Sequence, residues 1–340
     1  MKNANLAIVG IVVSIAVLLT ACRSTQTAAT EAPKPLSVLF DTDANNELDD
    51  QHAMIYLLFN EDHFRVAGIT TNATKSGGQI AKHTAEAQRI LRLAKKEEVT
   101  LLSGANGNFA AIRPTLAKET FDGQPAVDFI IQESRKATRK NPLVLLPVGK
   151  LTNIALAIAK APDIKDKVRI VWLGSNYPKA GEYNLDNDIP SLSYLLTQDV
   201  PFEMVLVRYQ DKTASQGVEI TQSEINRRMP GLGPHIDPPI TGRHGATFHN
   251  FGDYSVNLFK YIDYHSPEKN RALYDAVAVA ILKNPNWGQQ STIPAPRYTA
   301  EGWIDQPNNE RQIIIWENFD REAIIEDFFQ VLHRHTNDKK

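Results

Sequence analysis

Four aspartates stand close together near the start of the chain, in the stretch VLFDTDANNELDDQHA at 38–53. They are Asp41, Asp43, Asp49 and Asp50. They fall between an apolar strand-like segment at 37–40 and an apolar helical run at 53–59. Because like charges repel, a fold keeps such a cluster only when a cation, hydrogen-bond donors or shared protons offset the repulsion. Ligands that offer only oxygen favour a hard ion, Ca²⁺ or Mg²⁺, over zinc.

Two familiar roles for clustered aspartates fit this stretch less well. An EF-hand loop that begins at Asp41 needs glycine and glutamate where this sequence has Asn46 and His52. The last two aspartates alone would suit the first turn of a helix, where carboxylates interact favourably with the helix dipole. Their proximity to the first two aspartates favours a cation site instead.

Apolar segments of two kinds alternate from Leu36 onward and must position these acids. Strands are predicted at 37–40, 64–70, 99–102, 142–148, 168–173, 204–207 and 313–316. Helices are predicted at 50–59, 79–95, 126–136, 150–160, 273–282 and 322–333. Apolar strands separated by helices indicate an α/β fold with an open, mostly parallel sheet and helices on both faces. Ligands of such sheets bind beyond the carboxyl ends of the strands.

Polar side chains follow several of the predicted strands. Asn72 follows the second strand, and Asn176, Glu182 and Asn184 follow the strand at 168–173. Since the carboxyl ends of parallel strands meet at one edge, we expect these side chains to lie near the aspartates. Such an oxygen-rich edge suits a hard cation and a polyhydroxylated ligand such as a sugar.

Four motifs, in their order along the chain, resemble the inosine–uridine-type nucleoside hydrolases. They are DTD…DD, LPVGKLTNIALAI at 146–158, Asn176 followed by EYN at 182–184, and YDAVAVA at 274–280. The resemblance covers residues 36–335. It implies hydrolysis of the N-glycosidic bond of ribonucleosides to free base and ribose, with Ca²⁺ as the cofactor and without an organic cofactor.

The resemblance also implies roles for individual residues. The implied metal ligands are Asp43, Asp50, the backbone carbonyl of Val148, and Asp275. Asp43 is also the implied base that activates water. Sugar contacts are implied for Asp49, Asn72, Asn176, Glu182 and Asn184. Bond cleavage builds positive charge on the ribose, which oxygen-bearing side chains stabilise as it develops. We expect contacts to the base to come from the irregular region 209–260.

The sequence departs from the family pattern between the second and third aspartates. The family usually has three residues there, including Pro-Gly, whereas five intervene between Asp43 and Asp49 and the Pro-Gly pair is absent. We expect this longer loop to bulge and to bring Glu47 or Asn45 into the site.

A second departure concerns the proton donor for the departing base. The family often has histidine before its last aspartate, and this chain has Tyr274. A phenol, with an ordinary pKa of ~10, is a poor acid at neutral pH. We therefore consider Tyr274 and His244 as candidate catalytic residues, with Arg243 and His249 as further alternatives. A substrate whose base needs little protonation, or a site that binds and turns over slowly, would also fit the sequence.

Two other functions remain open from the sequence. A non-catalytic nucleoside- or sugar-binding lipoprotein would keep the cation site without turnover. A metal-dependent phosphatase of the haloacid dehalogenase type also begins with a strand and DxD, but it usually has Thr or Val where Asn45 stands. The formal net charge of −2 gives no electrostatic case for binding nucleic acid.

The first residues have the pattern of a bacterial export signal. Lys2 precedes an apolar run at 6–19, and Leu-Thr-Ala-Cys at 19–22 resembles a lipobox. We predict a lipoprotein signal peptide at 1–21 and a lipid on Cys22. The exported protein would then be anchored at the periplasmic side of a bacterial membrane or at the outer membrane.

The remaining organisation follows from composition. Cys22 is the only cysteine, so an intramolecular disulfide is excluded. Residues 22–35 are predicted to form a flexible tether after the lipidated cysteine, and residues 36–335 a single nucleoside hydrolase-like domain. The expected partners are a small nucleoside or related N-glycoside and, through the lipid, a membrane. Homo-oligomerisation is left open.

Overall fold

A computed structural model of the chain describes Met1 and residues 34–336. The predicted signal peptide, the cysteine predicted to carry a lipid (Cys22) and all but the end of the predicted tether lie outside the described residues. Residues 35–336 form one compact unit. Among the described helices, none is long and apolar enough to cross a membrane.

The strands are β1 Leu36–Thr42, β2 Phe64–Thr71, β3 Leu101–Ser103, β4 Leu143–Pro147, β5 Val168–Leu173, β6 Phe202–Val205, β7 Glu219–Thr221, β8 Ile240–Thr241, β9 Thr247–Phe248, β10 Asn270–Ala272, β11 Gln289–Pro294, β12 Arg297–Thr299, β13 Gly302–Ile304 and β14 Gln312–Glu317. The helices are α1 Asp49–Leu58, α2 Ile80–Ala94, α3 Phe109–Ile112, α4 Gln124–Lys136, α5 Thr152–Lys160, α6 Tyr183–Asn187, α7 Ile189–Leu196, α8 Gln222–Arg228, α9 Phe251–Leu258, α10 Tyr274–Lys283 and α11 Arg321–Thr336. Short 3₁₀ helices span Arg113–Thr115, Pro162–Lys167, Ser215–Gly217 and Pro285–Trp287.

An eight-stranded sheet forms the centre of the fold, in the order β11-β14-β6-β5-β4-β1-β2-β3. Its neighbouring strands are parallel except for the antiparallel pair β11 and β14. Three small antiparallel sheets pair β7 with β10, β8 with β9, and β12 with β13. The predicted α/β class with a mostly parallel sheet is confirmed.

Burial on both faces explains why the central strands read as continuous apolar runs. In β1, Val38 and Phe40 enter the core on one face, whereas Leu39 enters the core on the other. The first face is covered by α1, α2, α9, α10 and α11, and the second by α4, α5 and α7. Because successive side chains of a strand point to opposite faces, a strand covered on both faces is apolar over a continuous run of positions, as at 38–40.

The sequence did not predict the edge strand β11. Its residues QQSTIP are mostly exposed, since the strand pairs only with β14 and covers little core. An exposed edge strand lacks the apolar pattern on which strand prediction depends. The short helices α8 and α9 in the irregular region were missed as well.

Candidate active site

Loops at the carboxyl ends of the central strands surround a cavity of about 210 Å³. The cavity is also bordered by the first turns of α1 and α10, which pack against each other. Eight of the predicted site residues line it: Asp43, Asp49, Asp50, Val148, Glu182, Asn184, Tyr274 and Asp275. The structure therefore brings together side chains from both ends of the chain.

Three carboxylates form the most compact part of the cavity wall. Asp49 and Asp50 open α1, Asp275 opens α10, and one oxygen from each lies within 4.8 Å of the others. All three side chains are buried, at 7%, 2% and 3% exposure. Burial, reinforced by the neighbouring acids, raises the pKa of Asp50 and of Asp275 well above its usual range. Burial also raises the pKa of Asp49, to about 7.

These carboxylates repel one another, and their oxygens suit a hard cation. Asp43 lines the same cavity, and its charge raises the pKa of both Asp49 and Asp50. The Val148 residue, whose carbonyl was predicted as a ligand, lies in the same lining. A cation among these oxygens would remove the repulsion that burial intensifies. The compact group contains Asp49 in addition to the predicted ligands Asp50 and Asp275.

Only one carboxylate oxygen of Asp43 accepts a hydrogen bond from a side chain in the described part of the chain. Its Oδ2 accepts a hydrogen bond of 2.6 Å from the Thr74 hydroxyl, and the side chain is 1% exposed. A Cβ atom at Gly149 would lie 2.7 Å from Asp43 Oδ1, so glycine is needed for this close approach. Burial raises the pKa of Asp43.

Asp41, by contrast, is part of the scaffold behind the cavity. Its carboxylate accepts hydrogen bonds from Thr70 Oγ1 at 2.6 Å, Asn153 Nδ2 at 2.7 Å and Asn72 Nδ2 at 2.9 Å. Burial raises its pKa to about 6 although these hydrogen bonds oppose the shift. The bonds tie the end of β1 to the end of β2 and to α5.

Thr152 and Asn153 open α5, and their side chains bond to neighbouring loops. In the described part of the chain no side chain caps this helix. Asn153 donates to Asp41 and to the Thr71 carbonyl, and Thr152 donates to Asp188. Both side chains therefore fix neighbouring loops of the site.

Asn184 connects the ends of two central strands. Its Nδ2 donates to the Val148 carbonyl at 2.8 Å and to the Leu173 carbonyl at 3.1 Å. This bond uses one of the two lone pairs of the Val148 oxygen, so the second lone pair can still face a cation.

Glu182 both lines the cavity and caps the helix α6. Its carboxylate accepts backbone N–H bonds of 2.9 Å from Ser175, Asn184 and Leu185, at the start of α6. Burial raises its pKa to about 7, although these bonds lower it. The carboxylate is thus held in one orientation by the backbone.

The remaining predicted sugar contacts lie behind the described cavity lining. Asn72 is buried and bonded to Asp41, and its Oδ1 has no hydrogen-bond partner among the described residues. Asn176 Oδ1 accepts a bond of 3.0 Å from the Tyr209 backbone N–H. The sugar contacts of both asparagines stay predictions.

One end of the cavity is aromatic and contains residues that the sequence did not single out. The rings of Tyr209 and His265 each lie 6.0 Å from the Tyr274 ring, measured between centroids. The Tyr274 hydroxyl donates to Gln216 Oε1 at 2.6 Å, and burial raises its pKa further above the ordinary range. Arg271 lines the same end. Tyr209 falls within the region expected to contact the base, whereas His265 and Arg271 lie just after it.

The long loop after Asp43 places Glu47, and not Asn45, in the cavity lining. Glu47 forms an ion pair with Arg271. Asn45 instead donates from Nδ2 to the Gly77 carbonyl at 2.6 Å and from its backbone to His83 Nδ1 at 3.2 Å. Asn45 therefore anchors the loop that presents Glu47.

His244 lies outside this cavity. It is stacked on Tyr261, with ring centroids 4.1 Å apart, in a surface depression that also includes Arg243 and Glu47. His249 is stacked on His235 and bonded through Nδ1 to the Ile236 carbonyl at 2.9 Å. Proton donation by His244 stays a prediction.

The fold and the site define an α/β protein with an oxygen-rich, cation-suited site at the carboxyl edge of its sheet. Residues 38–324 match the family described as inosine-uridine preferring nucleoside hydrolase, and the chain belongs to this family. The family is metal-dependent, and the buried aspartates can hold a metal. Family membership supports hydrolysis of N-glycosyl compounds.

Curated relatives match part of the chain. The pyrimidine-specific ribonucleoside hydrolase RihA of Shewanella oneidensis is 30% identical over 190 residues, which cover 49% of this chain and 57% of that protein. The uncharacterized protein C1683.06c of Schizosaccharomyces pombe is 24% identical over 221 residues, which cover 57% of this chain and 69% of that protein. The chain thus spans little more than half the length of the RihA relative.

Solved structures match nearly the whole described domain. A plant nucleoside hydrolase, the PpNRh1 enzyme, has a TM-score of 0.67 at 18% identity and covers 90% of this chain and 100% of that chain. A purine-preferring ribonucleoside hydrolase from Gardnerella vaginalis has a TM-score of 0.67 at 20% identity, with 88% and 99% coverage. At these identities the likeness shows a common fold.

Proposed function

We propose that this protein is a Ca²⁺-dependent nucleoside hydrolase that cleaves ribonucleosides to free base and ribose. The observation that carries the proposal is the buried group of Asp49, Asp50 and Asp275 in one cavity with Asp43 and Val148. Calcium suits this site because it accepts many oxygen ligands in flexible geometry, including carboxylates and backbone carbonyls. When bound, the ion would orient the ribose diol and lower the pKa of a nearby water.

Asp43 is the proposed base of the reaction. Thr74 holds one of its oxygens, which leaves the other free to accept the proton of the attacking water. The water oxygen bonds to the ribose carbon as the N-glycosidic bond breaks, and the electron pair of that bond leaves with the base nitrogen. The displaced base later takes up a proton.

Glu182 and Asn184 are the proposed partners of the ribose hydroxyls. Both line the cavity, and both are fixed by bonds to the backbone, so little reorganisation is needed when charge develops on the sugar. Asp49 adds a carboxylate from the first turn of α1. Asn72 and Asn176 support the same region from behind the cavity.

The two predicted proton donors differ in position. Tyr274 lines the cavity, but burial raises the pKa of its phenol and makes it a weaker acid. His244 lines the adjoining depression instead, and burial together with the Arg243 charge lowers the pKa of its imidazole, so that less of it is protonated. Neither geometry supports efficient proton donation during bond cleavage.

Incubation of the purified protein with purine and pyrimidine ribonucleosides and Ca²⁺ tests the proposal. Free base and ribose are expected in equal amounts, and Asp43→Ala is expected to lower turnover by about 10²–10⁴-fold. The control Asp163→Ala removes an exposed acid paired with Arg135 and should retain turnover. Nucleoside binding without base release would instead indicate a binding protein, and phosphate release from phosphoesters with Mg²⁺ a phosphatase.

We also propose that the protein is exported and anchored to a membrane through a lipid on Cys22. The support is the Leu-Thr-Ala-Cys motif after an apolar run. Expression with labelled fatty acid should label the wild-type protein in the membrane fraction. Cys22→Ala should lose the label, and a labelled Cys22→Ala protein would contradict the anchor.

A further inference from the structure

Arg271 is a buried cation, and one of its N–H groups has no hydrogen-bond partner among the described residues. It lies in β10, it is 5% exposed, and it lines the proposed active-site cavity. Its Nη1 donates to the Asp263 carbonyl at 3.3 Å and to His265 Nε2 at 2.9 Å, and its Nη2 pairs with Glu47. Its Nε is buried and has no hydrogen-bond partner among the described residues.

A buried donor without a partner is unfavourable, so a ligand that reached the Nε of Arg271 from the cavity would gain a hydrogen bond. A purely structural Arg271 would need only its three existing partners and would not need to line the cavity. The guanidinium carbon lies 6.0 Å from the centre of the Tyr274 ring. Arg271 therefore lies at the aromatic end of the cavity, which also contains the carboxylates assigned to the cation and sugar.

Glu47 fixes the orientation of this guanidinium. Its carboxylate belongs to the loop that is longer than in the family pattern, and it is 39% exposed while its partner is buried. The loop is itself held by Asn45, and by Asn46, whose Oδ1 accepts a bond of 2.7 Å from Ser76 Oγ. Glu47 engages Nη2, and the neighbouring Nε–H is left without a partner among the described residues.

On the basis of the function proposed above, we propose that Arg271 stabilises the departing base as its anion and that Glu47 is its positioning residue. When the glycosidic bond breaks, its electron pair passes to the ring nitrogen and is shared with the carbonyl oxygens of the base. The N–H of Arg271 donates to such an oxygen, and its fixed charge stabilises the anion. The base is protonated afterwards by water, so the cleavage step needs no strong acid.

The proposal defines a substrate class. Bases that carry a carbonyl group conjugated with the glycosidic nitrogen, as in uridine or inosine, offer an oxygen to Arg271. Adenine has no carbonyl oxygen, so the N–H of Arg271 could bond only to a ring nitrogen and the negative charge would not be shared with an oxygen. Wild-type protein should therefore cleave inosine faster than adenosine, and Arg271→Gln should reduce this preference.

Comparison of two leaving groups on the same variant tests the proposal. Uridine needs stabilisation of its leaving base, whereas p-nitrophenyl β-D-ribofuranoside releases a phenolate that is stable without help. Arg271→Gln is expected to lower kcat/KM for uridine by about 100-fold and to change that for the p-nitrophenyl riboside by less than about 5-fold. The ratio of the two values is independent of the fraction of correctly folded enzyme, so partial unfolding cannot imitate the result.

The positioning role of Glu47 has its own readout. Glu47→Gln should lower the ratio of kcat/KM for uridine to kcat/KM for the p-nitrophenyl riboside, by a smaller factor than Arg271→Gln does. Glu47→Asp should restore part of this ratio. An equal loss on both substrates in Arg271→Gln, or no loss on either, would overturn the proposal. Wild-type protein that cleaves neither substrate would refute the proposed function itself, and this inference with it.

Discussion

Asp41 and Asp43 are two residues apart and have different surroundings. Asp41 ends β1 and satisfies donors from Thr70, Asn72 and Asn153, away from the cavity. Asp43 follows the strand, lines the cavity and has one side-chain donor, Thr74. The first residue therefore determines the shape of the site, and the second is available for chemistry.

Alanine variants should separate these two roles. Asp41→Ala leaves buried donors unpaired, so we expect a loss of about 2–5 kcal/mol in the free energy of unfolding. Asp43→Ala removes a repelling charge from a buried acidic group, so we expect little loss of stability but a large loss of turnover. Urea unfolding monitored by circular dichroism, beside base-release assays, measures both. Wild-type stability in Asp41→Ala would contradict the scaffold role.

At the scale of elements, the loop between β1 and α1 presents Glu47 to the cavity. It is anchored to the segment after β2 through Asn45 and Gly77, and through Asn46 and Ser76. Gly77 has a positive φ of 79°, and a Cβ there would lie 2.8 Å from the Asn45 carbonyl oxygen. The anchor therefore depends on this glycine.

Neighbouring glycines provide a matched test of the loop. Gly77→Ala and Gly78→Ala both place a side chain at positive φ, but only the first collides with the backbone of Asn45. At Gly78 the nearest atoms belong to the flexible Lys82 side chain, at 3.0 Å. We expect Gly77→Ala to lower kcat/KM for nucleosides by about 10-fold. Gly78→Ala should lower only thermal stability, through the strain of a side chain at positive φ that both variants share. An equal loss of kcat/KM in both variants would contradict the loop's role.

Sequence reasoning found the elements with strong patterns and missed residues whose role depends on distant partners. The acids of α1 and α10 and the central strands were predicted because they have clear motifs and continuous apolar runs. Arg271 was missed because its significance depends on Glu47, far away in sequence and brought near only by the fold. Asn72 was expected in the cavity, but its bond to Asp41 could not be inferred from spacing.

At the scale of the whole molecule, the site joins two helices that lie far apart in the sequence, α1 and α10. Helices α1 and α10 pack against each other and bring Asp49 and Asp50 beside Asp275. Without a cation, repulsion among these acids opposes the packing of the two helices. A bound cation should therefore stabilise the whole fold and not only the site.

Thermal unfolding tests this coupling. With Ca²⁺ at 100 times its dissociation constant, binding adds about 2.7 kcal/mol of stability, so Tm should rise by several degrees relative to protein in EDTA. Asp275→Asn should raise Tm in EDTA, because it removes one repelling charge, and should reduce the shift caused by Ca²⁺. The control Asp163→Asn should behave as wild type. If Ca²⁺ raised the Tm of Asp275→Asn as much as that of the wild type, the ion would have to bind elsewhere.

The most direct test of the account is a calcium titration of metal-free protein with nucleoside cleavage as the readout. Base release should be absent at the start, rise with added Ca²⁺ and reach its plateau at one ion per chain. In the double variant Asp50→Asn with Asp275→Asn, the same additions should leave base release near its starting value. Full turnover by the metal-free wild-type protein, or an unchanged titration in the double variant, would contradict the claim that these acids hold a catalytic cation.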